Sequence, residues 1–195
     1  EGDYDMLFEV KNPNSSYGAR DVQYEISIGD TNGQLLTKQI GNFYVLPNQT
    51  FYLIKTALKL KSEPAAPTLA IVDTDWIQVS TEDPVVDFAI LGEGFLERNG
   101  VSRYEAIVLN KSFYDFENVD INVILHDESG QVIGVSRTDI QTFESLQERG
   151  FVMSWPIIFD EPVAVVQVTT NTFEPANYIR RYGSQEKFQE LNPER

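Results

Sequence analysis

Cysteine is absent from all 195 residues, which excludes disulfides, thiolate zinc sites and cysteine nucleophiles outright. Histidine is nearly absent too, with His126 the only one. One imidazole and no thiolate leave too few ligands for an ordinary zinc site. Cations are scarce: 15 Lys and Arg stand against 30 Asp and Glu, for a net charge of −15. Nucleic-acid binding needs clustered Lys and Arg to neutralise phosphates, so that class is excluded. Adsorption to anionic lipid is disfavoured for the same reason. An acidic surface favours solubility, cation binding or a basic partner. No apolar run approaches the roughly 20 residues of a membrane helix, and no direct membrane insertion by this segment is expected. A basic-then-apolar leader is missing as well. The chain opens at Glu1 straight into a strand-like segment, and we expect a leader or anchor ahead of it.

What the chain does contain is one unit written twice. The first copy reads Val10-Lys11-Asn12-Pro13-Asn14, then Asp21-Val22-Gln23-Tyr24-Glu25-Ile26-Ser27-Ile28, then Asp30-Thr31-Asn32-Gly33-Gln34. The second reads Val108-Leu109-Asn110, then Asn118-Val119-Asp120-Ile121-Asn122-Val123-Ile124-Leu125, then Asp127-Glu128-Ser129-Gly130-Gln131. Val22 to Val119 and Gly33 to Gly130 are the same step of 97, so the register holds through strand and turn. Alternation is the dominant local pattern. Val22, Tyr24, Ile26 and Ile28 share one strand face while Gln23, Glu25 and Ser27 share the other. Asn32-Gly33 reads as a hairpin turn accepting positive φ. Hydrophobic residues at 42%, with 12 Phe and 9 Tyr, supply a core, so disorder is a poor reading.

Short strands at regular spacing with turn signals between them indicate sandwiches. The expected fold is all-β: two tandem antiparallel immunoglobulin- or fibronectin-like β-sandwiches. Residues 1–80 form the first module, 85–176 the second and 177–195 a C-terminal tail with one helical turn near 186–191. Ser80-Thr81-Glu82-Asp83-Pro84 is the expected linker, being short, polar and ended by proline.

Leu7-Phe8-Glu9-Val10-Lys11-Asn12-Pro13-Asn14 followed by Val22-Gln23-Tyr24-Glu25-Ile26 resembles the strand, Asn-Pro-Asn, strand signature of WHy/LEA14-like domains. The second copy, with Asn110 and then Val119 to Gly130, resembles FxLYD-type modules of bacterial envelope proteins; Lys111 stands there in place of Pro13. The resemblance implies an extracytoplasmic, often membrane-tethered, accessory or binding module. Read physically, Asn12 and Asn14 bond neighbouring backbone at a strand end, and Pro13 fixes φ and gives nothing to the ladder.

Chemistry is thin. His126 precedes a turn, and no Gly-x-Ser-x-Gly elbow accompanies it. Carboxylate pairs such as Asp3 with Asp5 and Asp115 with Glu117 lack the long loops of a sugar cleft, so no enzyme is expected. Asp73 and Asp75, with Glu82, Asp83 and Asp87 about the linker, are hard oxygen donors and make calcium the one candidate cofactor; solvated acidic loops are the ordinary reading of such residues. Trp76 and Trp155 invite a carbohydrate-platform reading but fit sheet packing better. Three glycosylation sequons begin at Asn14, Asn48 and Asn110. Tyr17, Phe113 and Tyr114, in equivalent loops of the two copies, are the candidate binding aromatics. The expected role is a non-enzymatic extracytoplasmic structural or protein-interaction module, membrane-tethered in the full-length protein, whose partner is an envelope protein. The alternative is a carbohydrate-binding or adhesin module with a glycan as partner.

Overall fold

A computed structural model describes residues 2–80 and 86–194. The chain is mostly β, every strand pairing among the described residues is antiparallel, and it divides into two compact units, Glu1–Asp83 and Pro84–Arg195. Residues 81–84 of the expected linker lie outside the described residues.

Among the described residues the first unit has five strands: β1 (Gly2–Lys11), β2 (Tyr17–Gly29), β3 (Leu35–Val45), β4 (Thr50–Leu60) and β5 (Thr68–Gln78). β1 pairs with β4, and β2 is flanked by β3 and β5. The alternation in β2 decides which face turns inward: Val22, Tyr24, Ile26 and Ile28 are buried. They share one core with Met6, Leu53 and Leu60 of the other sheet. Phe43 stacks on Phe51 at 4.7 Å across that core. Gly41 faces Tyr24 across the ladder, where an added Cβ would collide with the tyrosine ring.

The second unit repeats this plan and adds to both ends. It contains β6 (Phe88–Arg98), β7 (Val101–Asn110), β8 (Tyr114–His126), β9 (Val132–Phe143), β10 (Glu148–Trp155), β11 (Val163–Thr169), a 3-10 turn (Pro175–Asn177), β12 (Tyr178–Arg181) and α1 (Gln185–Leu191). β7 and β10 pair as β1 and β4 do, with β6 added beside β7. β8 carries β9 on one edge, as β2 carries β3. Val119, Ile121, Val123 and Leu125 point into a core that also holds Phe116, Phe143 and Trp155.

The segment expected as a tail belongs to this unit. β11 and β12 together occupy the edge that uninterrupted β5 occupies on β2: Val163 pairs with His126 at one end and Arg181 with Tyr114 at the other. Alternation is lost in the sequence because residues 170–177 leave the ladder between them. Helix α1, with Ser184 accepting from the Lys187 N–H as its cap, drops Phe188 onto Tyr182 and Phe113 with ring centroids at 5.0 and 6.1 Å.

The repeated turns are equivalent bond for bond. Asp30 Oδ1 accepts from the N–H of Asn32 and of Gln34, both at 2.8 Å. Asp127 Oδ1 accepts from Ser129 and Gln131, both at 2.9 Å. Within these two turns only Gly33 (φ 83°) and Gly130 (φ 81°) take positive φ. Asn32 does not, so the expected Asn-Gly pairing of positive angles is corrected: aspartate closes the turn and glycine alone reverses it.

The motif asparagine proves deeper than a loop-former. Asn12 Nδ2 donates to the carbonyls of Tyr17 (2.7 Å) and Leu46 (3.0 Å), while its Oδ1 accepts from the Asn14 N–H at 3.1 Å. Asn110, fully buried, donates to Tyr114 (2.9 Å) and Glu144 (3.1 Å) and accepts from the Ser112 N–H (3.1 Å) and Oγ (2.6 Å). Each joins the end of one sheet's strand to the start of the next strand and to the end of a third.

Replacing Asn110 by Ala would strand two carbonyls and an N–H inside the fold. We expect a loss of about 2–4 kcal/mol in the second unit. Urea unfolding followed through buried Trp155 measures it, and a loss below about 0.5 kcal/mol contradicts the assignment. In the turn after β9, Leu146 holds φ 59° where the first unit has Asn48 at φ 54°. Leucine is strained there and asparagine is not. Leu146→Asn is therefore expected to stabilise by about 0.5–1 kcal/mol in the same measurement, and a destabilised variant contradicts it.

Candidate functional site

In each unit the loop end that holds the motif asparagine is also where the candidate aromatics lie. Tyr17 and Tyr114 are the first residues of β2 and β8, and their carbonyls are the ones gripped by Asn12 and Asn110. Their rings differ in circumstance. Tyr17 is 45% exposed. Tyr114 is half-buried and lies edge-on to Tyr178 at 5.6 Å. Phe113 is half-buried against Phe188 of α1. The C-terminal elements thus engage both aromatics of the second unit.

The two tryptophans, expected to pack in their sheets, separate. Trp155 is buried and its indole N–H donates to the Val135 carbonyl at 3.0 Å. Trp76 is 50% exposed on β5, an outer strand whose register offers nothing to cover it. Tyr17 pairs with Gln78 and Ala19 with Trp76, so Trp76 is the diagonal neighbour of Tyr17 on one face. This juxtaposition was not legible before the strands were paired.

The acidic candidates are already engaged. Asp75 accepts from Arg20 Nε at 2.8 Å. Asp87 pairs with Lys111. Asp73 Oδ1 accepts from the next residue's N–H at 2.8 Å. Asp73 and Asp75 belong to the first unit and Asp87 to the second, while Glu82 and Asp83 lie outside the described residues. Among the described residues no three Asp, Glu or His side chains form a group that could hold a metal ion. His126 is the last residue of β8, between Val163 and Val132 in register. Of the three sequons, the one at Asn110 is closed to modification by complete burial, and Asn14 Nδ2 donates to Asn12 Oδ1 at 3.0 Å.

Sequence reasoning missed a polar cleft of about 280 Å³ lined by Asp115, Thr142, Glu144, Arg180, Tyr182 and Asn192 among others. Buried Asp115 accepts from the Ser145 N–H at 2.7 Å and from the Tyr182 hydroxyl at 3.1 Å. Arg180 is held further toward its charged form by its hydrogen bond to Tyr182 and then by the Asp115 charge. Residues from β8, β9 and the C-terminal segment converge there, so no single stretch of sequence announces it. Every charge in the cleft has an opposite near it, which makes the arrangement a clamp on the C-terminal segment.

A second polar network covers the outward face of β8. Gln141 Nε2 donates to Asn118 Oδ1 and to Asp139 Oδ2, both at 2.6 Å, and Asn118 Nδ2 reaches Asp120 Oδ1 at 3.3 Å. Asp120 faces Asp139 across the ladder. Burial raises the Asp120 carboxyl above its ordinary value, and the Asp139 charge adds to the shift against the opposing help of Asn118 and Arg137. In the other sheet the Tyr104 hydroxyl donates to Glu93 Oε2 at 2.6 Å. Burial, then the bond to Glu93, pushes that phenol above its ordinary value.

Comparison with protein-family models and with curated proteins finds no match.

The sign of the Asp120 effect follows from its raised value. A carboxyl that holds its proton more tightly folded than unfolded makes folding less favourable once the pH passes its unfolded value. Asp120→Asn is therefore expected to raise the melting temperature at pH 7. The gain should shrink to nothing where the native carboxyl is protonated. A variant less stable at pH 7 contradicts the burial argument.

Proposed function

We propose that the chain is a tandem of immunoglobulin-like β-sandwiches serving as a non-enzymatic extracytoplasmic module that spaces or binds other envelope proteins, tethered to a membrane by a segment outside this sequence. The likeness of its Asn-Pro-Asn and Asp-x-x-Gly elements to envelope modules supports the location. The observation carrying the interaction role is β5. Among the described residues it pairs only with β2, and it displays Ile71 and Val72 to solvent beside Asp73 and Asp75. An open strand edge with apolar and acidic side chains suits main-chain addition of a partner strand bearing basic and apolar residues.

A second reading, glycan binding, is favoured by one observation: exposed Tyr17 and Trp76 on the same face of the β2–β5 pair. Stacking on a sugar uses that geometry.

The two readings separate in a single set of variants. Under the first, the chain retains a protein from the solubilised envelope of its source cell. Val72→Lys, a charge set on the strand edge, then weakens retention about tenfold or more, while Tyr17→Ala with Trp76→Ala leaves it within about twofold. Under the second, a glycan array shows binding that only the aromatic variants abolish. Retention of neither class overturns both.

A further inference from the structure

The outward face of the three-stranded sheet in the second unit is unlike its counterpart in the first. Asn12 and Asn110 are equivalent, so the outward positions preceding them correspond: Lys11 to Leu109, and Glu9 to Ile107. In the first unit these are an exposed ion pair at 2.7 Å. In the second they are apolar and continue into a larger patch. The strand order β10–β7–β6 lays the face out in rows through matched register: Ser154, Arg103, Leu96; Val152, Glu105, Gly94; Gly150, Ile107, Leu91; Glu148, Leu109, Ala89. The opposite face of the same strands, with Tyr104, Ala106, Val108, Phe151 and Met153, is the core. Leu91, Leu96, Ile107 and Val152 are each between 37% and 50% exposed.

Two glycines keep this face flat. A Cβ added at Gly150 would meet nothing nearer than a backbone oxygen at 4.0 Å, and Gly94 lies beneath the Glu105 side chain. A flat apolar face with one arginine and one glutamate adjacent on its central strand is complementary to itself. An axis lying between two such sheets, perpendicular to β7 and level with Tyr104, sets the Arg103 row on the Glu105 row of the second copy and the Ile107 row on its Val101 and Arg98. Arg103 then stands over Glu105 of the second copy, and Glu105 over its Arg103. Leu96 stands over the gap above Gly94, and Ile107 over Val101. Stacked sheets keep their strands within about 30° of one another, so the central rows stay matched.

We propose that this face is the contact of a symmetric dimer, in which a second copy of the chain packs sheet on sheet through the Leu96, Arg103, Glu105 and Ile107 surface. The inference deepens the interaction-module reading by naming one partner, and it does not depend on where the protein resides. Three strands about 4.8 Å apart, overlapping over roughly 20 Å about that axis, present about 300 Å² per copy, which belongs with weak, reversible associations.

Sedimentation equilibrium of the whole chain from about 5 μM to 1 mM tests it. The proposal expects a monomer–dimer equilibrium with half-association between about 10 and 300 μM. Arg103→Glu and Glu105→Arg, each bringing like charges together, weaken association at least about tenfold. The double exchange restores it to within about threefold, because only the twofold arrangement pairs these two positions. Gly94→Lys, which fills the gap that Leu96 of the second copy would enter, abolishes association with no loss of native circular dichroism, since its Cβ meets nothing nearer than 3.7 Å, and it serves where a charge reversal impairs folding. A chain that stays monomeric to 1 mM overturns the proposal, as does a dimer indifferent to Gly94→Lys or not rescued by the double exchange. Neither result touches envelope-protein retention or its Val72→Lys control, so failure here is distinguishable from failure of the wider reading.

Discussion

The constraint on which both units depend is a buried asparagine amide at the point where one sheet hands the chain to the other. A strand leaving a sheet ends with backbone groups that lose their ladder partners, and burying them unpaired costs about 1–3 kcal/mol each. Asn12 and Asn110 supply those partners from one side chain, donating to carbonyls on two other segments and accepting from the N–H two residues on. Glutamine elsewhere completes the arrangement. Gln49 Oε1 accepts from Leu46 at 2.7 Å and Gln147 Oε1 from Glu144 at 3.2 Å. The crossing between sheets is fixed by polar bonds inside an otherwise apolar fold, and the two cores close around it.

With that crossing fixed, the units diverge in what they add. The first holds its central strand between two full-length neighbours. The second interrupts one neighbour and recovers the lost contacts with a 3-10 turn, a four-residue strand and a short helix. Asn177 anchors the detour, donating to Thr170 Oγ1 at 2.7 Å and accepting from the Asn118 N–H at 2.9 Å. Tyr182 and Phe188 are buried as a result. The second core is correspondingly richer in rings, with Phe88 stacked on Phe143 and Phe116 against Tyr178. Outward faces diverge further, charged in one unit and apolar in the other at matching positions.

Much of the architecture was readable in the residues. Alternation along β2 and β8 is strong because each is a central strand with one face buried. The Asp-x-x-Gly turns are local and carry their own bonds. Repetition supplied the register. Three features escaped because they depend on what lies across the ladder. Four residues of β12 are too few to show a period, and Pro175 ahead of them reads as a break. Trp76 and Trp155 both sit in strand-like runs, yet one is on an outer strand and the other on a core face. Asn110 looked like a loop residue because burial of a polar side chain is visible only once its carbonyl partners converge. The site fared less well: Tyr17, Phe113 and Tyr114 do share equivalent loop positions, but α1 and β12 engage the latter two, and no sequence period announces that.

The most direct test of the account is proton exchange at the side-chain amides of Asn12 and Asn110, observed by NMR in the native protein. Amides locked between buried carbonyls should exchange only through opening of the fold, at rates matching the central residues of β2 and β8. Exchange of either amide at the rate of a free surface asparagine would contradict the account.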